Sequence, residues 1–327
     1  MKKRILSGMR PTGRLHLGHL VGALKSWVLL QDKYDCFFMA ADWHALMSEY
    51  KDPARLKEYA LDNVIDWLSC GIDPEKATLF VQSEVPQHLE LFMVLSCFTP
   101  LGWLERCPTY KEQLRELKLR ELNNYAFLGY PVLQAADILL YKAELVPVGE
   151  DQLPHLELTR EIAKRFNHLL KCSVFPQPQA ELTRFPRLLG LDRRKMSKSY
   201  NNYIGLEDSA AEISKKVKSM FTDPLRIKKT DAGHPATCNV YNYYDVFANP
   251  QLVANRQNEC ITAAIGCTEC KEQLVKILLA YLAPIQQKRT QLLKDKDKVW
   301  QILDAGAKKA QQTALFTMTE IRKVIGL

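Results

Sequence analysis

The chain has 327 residues, 47% of them hydrophobic and 25% charged, with nine cysteines and a formal net charge of +8 at pH 7. That balance excludes a mostly disordered chain and a disulfide miniprotein, and the length allows about two domains. The longest run free of Asp, Glu, Lys and Arg is 15 residues, Leu122 to Ala136, and it holds Asn, Gln and Pro, so a transmembrane helix of about 20 apolar residues is not expected.

The N-terminal Met-Lys-Lys-Arg is followed by no apolar core, so a cytoplasmic protein without a membrane partner is expected. Charge is distributed unevenly: 23 basic and 23 acidic side chains through Arg187, then 22 and 14 from Leu188 onward. A basic half suits a solvated surface and a polyanion partner alike. In chain order, Arg4 to Gly8 reads as a short strand ending at glycine. A helix follows from Gly18 to Gln31, with Leu20, Leu24, Trp27 and Val28 on one side. Cys36 to Ala41 is a buried strand, Pro53 to Cys70 a helix, Ala77 to Gln82 a strand. After a mostly helical stretch come a strand at Glu144 to Val148 and a helix from Gln152 to about Asn167. Near-continuous apolar strands between helices predict an α/β fold with a doubly wound parallel sheet covered on both faces. Beyond Glu207 the strand signals fade, and Glu207 to Phe221, Pro250 to Ile265, Cys267 to Leu293 and Val299 to Ile325 suit helices.

Two segments have phosphate chemistry. Arg10-Pro-Thr-Gly-Arg-Leu-His-Leu-Gly-His19 joins the first strand to the first helix, where doubly wound folds hold nucleotides and a helix N-terminus favours anions. Gly13 and Gly18 permit close backbone approach, and His16 and His19 are candidate donors to phosphate oxygens. Taken alone, two histidines three apart serve as loop or core residues as readily as ligands. Lys195-Met-Ser-Lys-Ser199, after Arg193 and Arg194, would neutralise a polyphosphate as its charge builds, although a short Lys/Ser string is also an ordinary exposed loop.

The two segments together, in this order, resemble the paired ATP signatures of class I aminoacyl-tRNA synthetases, here His16-Leu-Gly-His19 and a literal KMSKS. Tyr130-Pro-Val-Leu-Gln-Ala-Ala-Asp-Ile-Leu-Leu-Tyr141, Val146-Pro-Val-Gly-Glu-Asp-Gln152 and His155-Leu-Glu-Leu-Thr-Arg160 narrow the likeness to the tryptophanyl-tRNA synthetases. Asp42-Trp-His-Ala45, Gly71-Ile-Asp-Pro74 and Gln82-Ser-Glu-Val-Pro86 extend it over nearly the whole chain. The resemblance implies a Rossmann-type catalytic domain over 1–187. It further implies the KMSKS loop and a helical anticodon-binding domain over 188–285, and a last helical segment over 286–327 that returns to the first domain. The implied activity is ATP-dependent activation of L-tryptophan to the adenylate, with Mg²⁺ accompanying ATP, and transfer to the 3′ end of tRNA(Trp). A homodimer is implied as well. The tyrosine-specific sister family and a catalytically silent RNA-binding relative are the competing readings.

Carried over residue by residue, the resemblance makes Asp137 the acceptor of the indole N–H. Its position in an otherwise apolar helix agrees, since an unpaired carboxylate there would be costly. Tyr130 and Gln152 match positions that hold the substrate's amino group, and His44 one near its carboxylate; Gln134 and Gly8 complete the tryptophan set. Arg10, Pro11, Thr12, Gly18 and His19 fall to ATP. So do Gly149, Glu150 and Asp151 on the ribose side, Leu188 near adenine, and Lys195, Met196, Ser197, Lys198 and Ser199. Lys195, Lys198, Lys111, His16 and His19 are the catalytic set. Arg10, His19 and Gln134 depart from the family's usual Gln, Asn and Met.

Cys238, Cys260, Cys267 and Cys270, spaced C-x21-C-x6-C-x2-C, are candidate ligands of a four-thiolate site, and zinc and an iron–sulfur cluster both accept four cysteines. The spacing has one C-x-x-C pair rather than two, and it resembles that of a subgroup of tryptophanyl-tRNA synthetases carrying a [4Fe–4S] cluster. The cluster is expected, with Zn²⁺ as the alternative.

Overall fold

The computed structural model describes residues 2–107, 124–182 and 188–327, so Lys111 lies outside the described residues. The sheet has five parallel strands: β1 (Arg4–Met9), β2 (Asp35–Ala40), β3 (Ala77–Val81), β4 (Leu145–Val148) and β5 (Gln179–Leu182). Their order is β3-β2-β1-β4-β5, a doubly wound α/β arrangement of Rossmann type that turns back between β1 and β4. Four strands match the apolar runs of the sequence within a residue or two. β5, Gln-Ala-Glu-Leu, does not announce itself: as an edge strand with no buried residue, it needs no apolar run.

The chain divides into two compact units. The first comprises Met1–Gly13, Ser26–Arg184 and Asp295–Leu327; the second comprises Arg14–Lys25 and Phe185–Lys294. In the first, Trp27 stacks on Phe38 of β2 at 4.3 Å and meets Trp67 of the helix Leu56–Ser69 edge-on at 5.1 Å. The last helix, Lys296–Ile325, belongs to this unit and packs on β3. Its approach is set by Gly306, where a Cβ would overlap the Leu79 carbonyl. Arg322 and Glu90 tie it to the helix Gln87–Phe98 through two 2.7 Å bonds.

The second unit is mostly helical: Ala210–Lys218, Asn239–Phe247, Pro250–Ile261 and Cys267–Lys294. Its turn Leu17–His19 continues into a π-helical Leu20–Leu24. The chain around this turn is pinned within the unit by Leu17 N–H donating to the Ile204 carbonyl at 2.9 Å and Leu206 N–H to that of Leu15 at 3.1 Å. The helix Asn239–Phe247 was not legible in the sequence, because its polar and aromatic residues mask the apolar period. It is anchored by Asn239, donating to the Gly190 carbonyl at 2.7 Å, and Tyr243, donating to that of Leu189 at 2.8 Å.

Candidate functional site

In the second unit, His16 caps the turn Leu17–His19. Its Nδ1 accepts the Gly18 N–H at 3.1 Å, while His19 Nδ1 accepts the His16 N–H at 3.2 Å. Both rings thus spend Nδ1 as an acceptor, which leaves Nε2–H as each neutral ring's donor. Burial pulls the His16 pKa down to about 3, with the Lys198 charge adding to it. His19 is held well below its ordinary value by burial, His16 and Lys198 in that order. The two imidazoles are therefore neutral donors at a helix N-terminus, suited to a phosphate without competing for its counter-ions.

The Lys195–Ser199 loop comes to the same turn, with Met196 Sδ 3.2 Å from the Gly18 amide. Lys195 is exposed and Lys198 half-buried. A residue that sequence reasoning missed, Asn202, organises this loop. It is buried, accepts the Ser197 N–H at 2.8 Å, and donates to Asp192 Oδ1 at 2.7 Å and to the Lys195 carbonyl at 3.1 Å. Arg193 and Asn201 take left-handed backbone conformations, at φ 68° and 49°. Leu188 is buried in this unit.

In the first unit, candidate residues follow the carboxyl ends of β1 and β4, the adjacent strands at which the sheet order turns back. Gly8 lies within β1 and Arg10, Pro11 and Thr12 follow it; Gly149 leads from β4 into the turn Glu150–Gln152, where Gln152 donates to Asp151 Oδ2 at 3.3 Å. Such a switch point is where doubly wound sheets open a ligand crevice.

The helix Tyr125–Leu140 has Tyr130, Gln134 and Asp137 at i, i+4 and i+7, on one face. Asp137 is 3% exposed and is met by three donors: His44 Nε2 on Oδ2 at 2.7 Å, His88 Nδ1 on Oδ1 at 2.6 Å, and Gln82 Nε2 on Oδ1 at 2.8 Å. Burial by itself would raise the Asp137 pKa. The facing imidazoles of His44 and His88 overcome that and hold it below the ordinary carboxylate range. Gln82 Oε1 is buried with no hydrogen-bond partner among the described residues. Nearby, Tyr130 Oη meets His155 Nε2 at 3.0 Å, and His155 Nδ1 lies 3.6 Å from Cys107 Sγ. Burial lowers the His155 pKa to about 4 and raises that of Tyr130. Sequence reasoning named His44 and Tyr130 but gave no role to His88, Gln82 or Cys107. The available signal was the demand of a buried carboxylate for donors from other apolar segments.

All four cysteines of the C-x21-C-x6-C-x2-C set are half-buried free thiols in the second unit. Burial pushes the Cys270 pKa up to about 12; the Arg256 charge opposes it, and the neighbouring thiols of Cys238 and Cys260 add to it. Yet among the described residues no group of three or more His, Cys, Asp or Glu side chains is arranged to hold a metal ion. The expected gathering of four thiols into a metal site is therefore not present in this structure.

A family profile described as tRNA synthetases class I (W and Y) matches residues 1–283. A tryptophan–tRNA ligase from Thermotoga maritima is 51% identical over 326 residues, covering 99% of both chains. One from Aquifex aeolicus is 41% identical over 99% of this chain and 100% of its own. The crystal structure of the Campylobacter jejuni tryptophanyl-tRNA synthetase, complexed with ADP and tryptophan, superposes with a TM-score of 0.89 at 35% identity, covering 99% of this chain and 100% of its own. With both phosphate motifs, the doubly wound sheet and whole-length similarity in agreement, the chain belongs to the class I aminoacyl-tRNA synthetases and, within them, to the tryptophanyl-tRNA synthetase family.

Proposed function

We infer that this enzyme is a tryptophan–tRNA ligase: it activates L-tryptophan with ATP and passes the activated acyl group to the 3′-terminal adenosine of tRNA(Trp). The observation that carries the amino-acid specificity is Asp137, a buried, ionised acceptor on the helix face that also bears Tyr130. An indole N–H is the donor such a site selects, and phenylalanine would leave the acceptor unpaired. Tyr130 and Gln152 would hold the substrate ammonium, with His44, Gln134 and Gly8 around the same pocket.

In the first step the tryptophan carboxylate attacks the α-phosphorus in line and pyrophosphate leaves. No side-chain nucleophile is required; the work is positioning and charge stabilisation. His16 and His19 would donate to the phosphates from the helix N-terminus, and Lys195 and Lys198 would neutralise the departing pyrophosphate. Arg10, Pro11, Thr12, Gly18, Met196, Ser197 and Ser199 are assigned to the same ATP, with Lys111 reaching its phosphates. Gly149, Glu150 and Asp151 are assigned to the ribose and Leu188 to the adenine. Mg²⁺ would arrive on the ATP phosphates and share the neutralisation of their charge.

The same reading assigns the catalytic Rossmann domain to 1–187, the KMSKS loop and a helical anticodon-binding domain to 188–285, and a supporting helical segment to 286–327. A homodimer is supported by an exposed apolar stripe on the helix Gln87–Phe98: Leu89, Met93 and Cys97 at i, i+4 and i+8, continued by Leu101, with Met93 and Leu101 more than 60% exposed. Met93→Asp should yield monomers in sedimentation. For Cys238, Cys260, Cys267 and Cys270 the four free thiols suit Zn²⁺ and a [4Fe–4S] cluster alike; the spacing, with one C-x-x-C pair and a likeness to the cluster-bearing subgroup, supports a structural cluster, though their present arrangement does not make a metal site. No step of the reaction is routed through it. Anaerobically purified protein with about four iron atoms per chain and broad absorbance near ~400 nm would support the cluster, and colourless, fully active protein would overturn it.

The experiment for the main reading is exchange of labelled pyrophosphate into ATP, run with tryptophan and tyrosine in parallel. Exchange driven by tryptophan is expected. Exchange with tyrosine alone would make the chain a tyrosine enzyme, and exchange with neither a silent relative. No helix among the described residues is long and apolar enough to cross a membrane.

A further inference from the structure

A carboxylate has about four acceptor sites, two on each oxygen. On Asp137, His88 Nδ1 and Gln82 Nε2 both approach Oδ1, at 2.6 and 2.8 Å, and His44 Nε2 alone approaches Oδ2, at 2.7 Å. Oδ1 is therefore saturated from within the protein, and the remaining acceptor site is on Oδ2. The donors are not equivalent. His44 keeps a partly exposed side chain, whereas His88 and Gln82 are fully buried behind the carboxylate. His88 is itself fixed on its far side, since its Nε2 meets the Tyr141 hydroxyl at 2.8 Å. A carboxylate oxygen only accepts, so Nδ1 bears the hydrogen that faces Asp137. Its Nε2 is held by the Tyr141 hydroxyl, which can accept from it or donate to it. The chain Tyr141–His88–Asp137 thus runs from the helix Tyr125–Leu140 and its C-terminal residue to the helix Gln87–Phe98 and back, closing a small, rigid, buried circuit.

We propose that His88 is a positioning residue for amino-acid recognition: anchored by Tyr141 and acting with Gln82, it locks the Asp137 carboxylate so that Oδ2 alone is offered to the substrate's N–H. The proposal rests on the reading of Asp137 as the indole acceptor and deepens it. It accounts for two otherwise unconnected facts, a histidine with no exposure at all and a buried aspartate that stays ionised. The titratable groups facing Asp137 are His44 from the helix Asp42–Glu49, His88 from the helix Gln87–Phe98 and, through His88, Tyr141; Gln82 is uncharged. His44 remains in every variant below, so the comparison isolates His88.

The test is the pH dependence of KM for tryptophan and of kcat in pyrophosphate exchange, between about pH 5.5 and 8.5, for wild type, His88→Leu, His88→Asn and Tyr141→Phe, with melting temperatures to certify folding. Without the His88 donor the Asp137 carboxylate takes up a proton more readily and turns more freely. His88→Leu should therefore raise KM about tenfold at neutral pH, with kcat changed less than about threefold, and KM should climb further as pH falls. His88→Asn, whose side-chain N–H falls near the place of Nδ1, should restore most of the neutral-pH KM, and Tyr141→Phe should raise KM about threefold. If His88→Leu does not fold, His88→Asn and Tyr141→Phe decide the matter by the same criteria. A KM profile unchanged from wild type in a folded His88→Leu or Tyr141→Phe, or no rescue by asparagine, would overturn the proposal. Asp137→Asn is run alongside. Raised KM there with unchanged KM in the His88 variants overturns the positioning role alone, whereas unchanged KM in Asp137→Asn overturns the indole assignment and this inference with it.

Discussion

Asp137 shows how a single charge becomes tolerable inside an apolar helix: three donors from three other segments replace the water it lost. Asp137→Asn retains an oxygen to face the indole but loses the charge, and its amide N–H conflicts with at least one of the three donors. A hydrogen bond to a charged acceptor contributes about 1.5–3 kcal/mol, so KM for tryptophan should rise about tenfold or more and selectivity over phenylalanine should fall. Steady-state exchange with both amino acids checks this. The buried histidines make a second prediction at the same scale. His155 titrates at about 4 and His16 at about 3, both lowered by burial from 6.5. Below 6.5 the unfolded imidazoles bind protons that the native ones refuse, so stability is complete above that pH and is lost as the pH falls toward 4. For His155 alone the loss by pH 4 is on the order of 3 kcal/mol. Melting temperature should fall across that window, and His155→Gln should make the fall shallower. A flat profile would show that these rings are not buried as described.

At the scale of elements, the Lys195–Ser199 loop is held by its neighbours rather than by its own sequence. Asn202 fastens the amide of Ser197 and the carbonyl of Lys195, so the loop is held through its backbone. Lys195→Ala and Lys198→Ala should lower kcat for adenylate formation and change tryptophan affinity little, the pattern of groups engaged mainly in the transition state. Rapid-quench measurement of adenylate separates this from an ordinary surface loop, which would leave turnover near normal. The last helix offers the packing counterpart. Gly306→Ala forces a methyl group against the backbone carbonyl of Leu79, which neither β3 nor the helix can move cheaply. Overpacking of this kind costs about 1–3 kcal/mol, to be read as a lowered melting temperature, and the substitution should cost more than Ala at the exposed Lys308.

Across the whole molecule, charge separates with the two compact units. The second unit has 19 basic and 10 acidic residues, a balance of +9; the first holds the other 26 and 27, a balance of −1. A basic unit in a chain whose other unit is near neutral is the charge pattern of a protein that gathers a polyanion with one part of its chain. Binding of tRNA should therefore weaken by at least about tenfold between 50 and 200 mM salt, as phosphate counter-ions are displaced. Affinity that does not change over that range, measured by filter retention, would remove the electrostatic role from this unit.

The family's motifs, four of the five strands and the two segments whose residues suit phosphate could be read from the sequence. Each of these is a local property. A glycine that allows close approach, a helix N-terminus that attracts anions and an apolar run that must be buried can all be read within ten residues of chain. Asp137 could be read as needing a partner, but which partners could not: His44, Gln82 and His88 are 93, 55 and 49 residues away, and only tertiary packing brings them together. The same is true of Tyr130 with His155, of Met196 at the Gly18 amide, and of β5, whose edge position frees it from an apolar pattern. The four cysteines mark the opposite limit. Their spacing raises the expectation of a shared ligand, but a metal site is a matter of angles and distances, and among the described residues no group is arranged as one. Pairing a buried charge is a problem in three dimensions. The sequence states that problem, and the tertiary structure chooses the side chains that solve it.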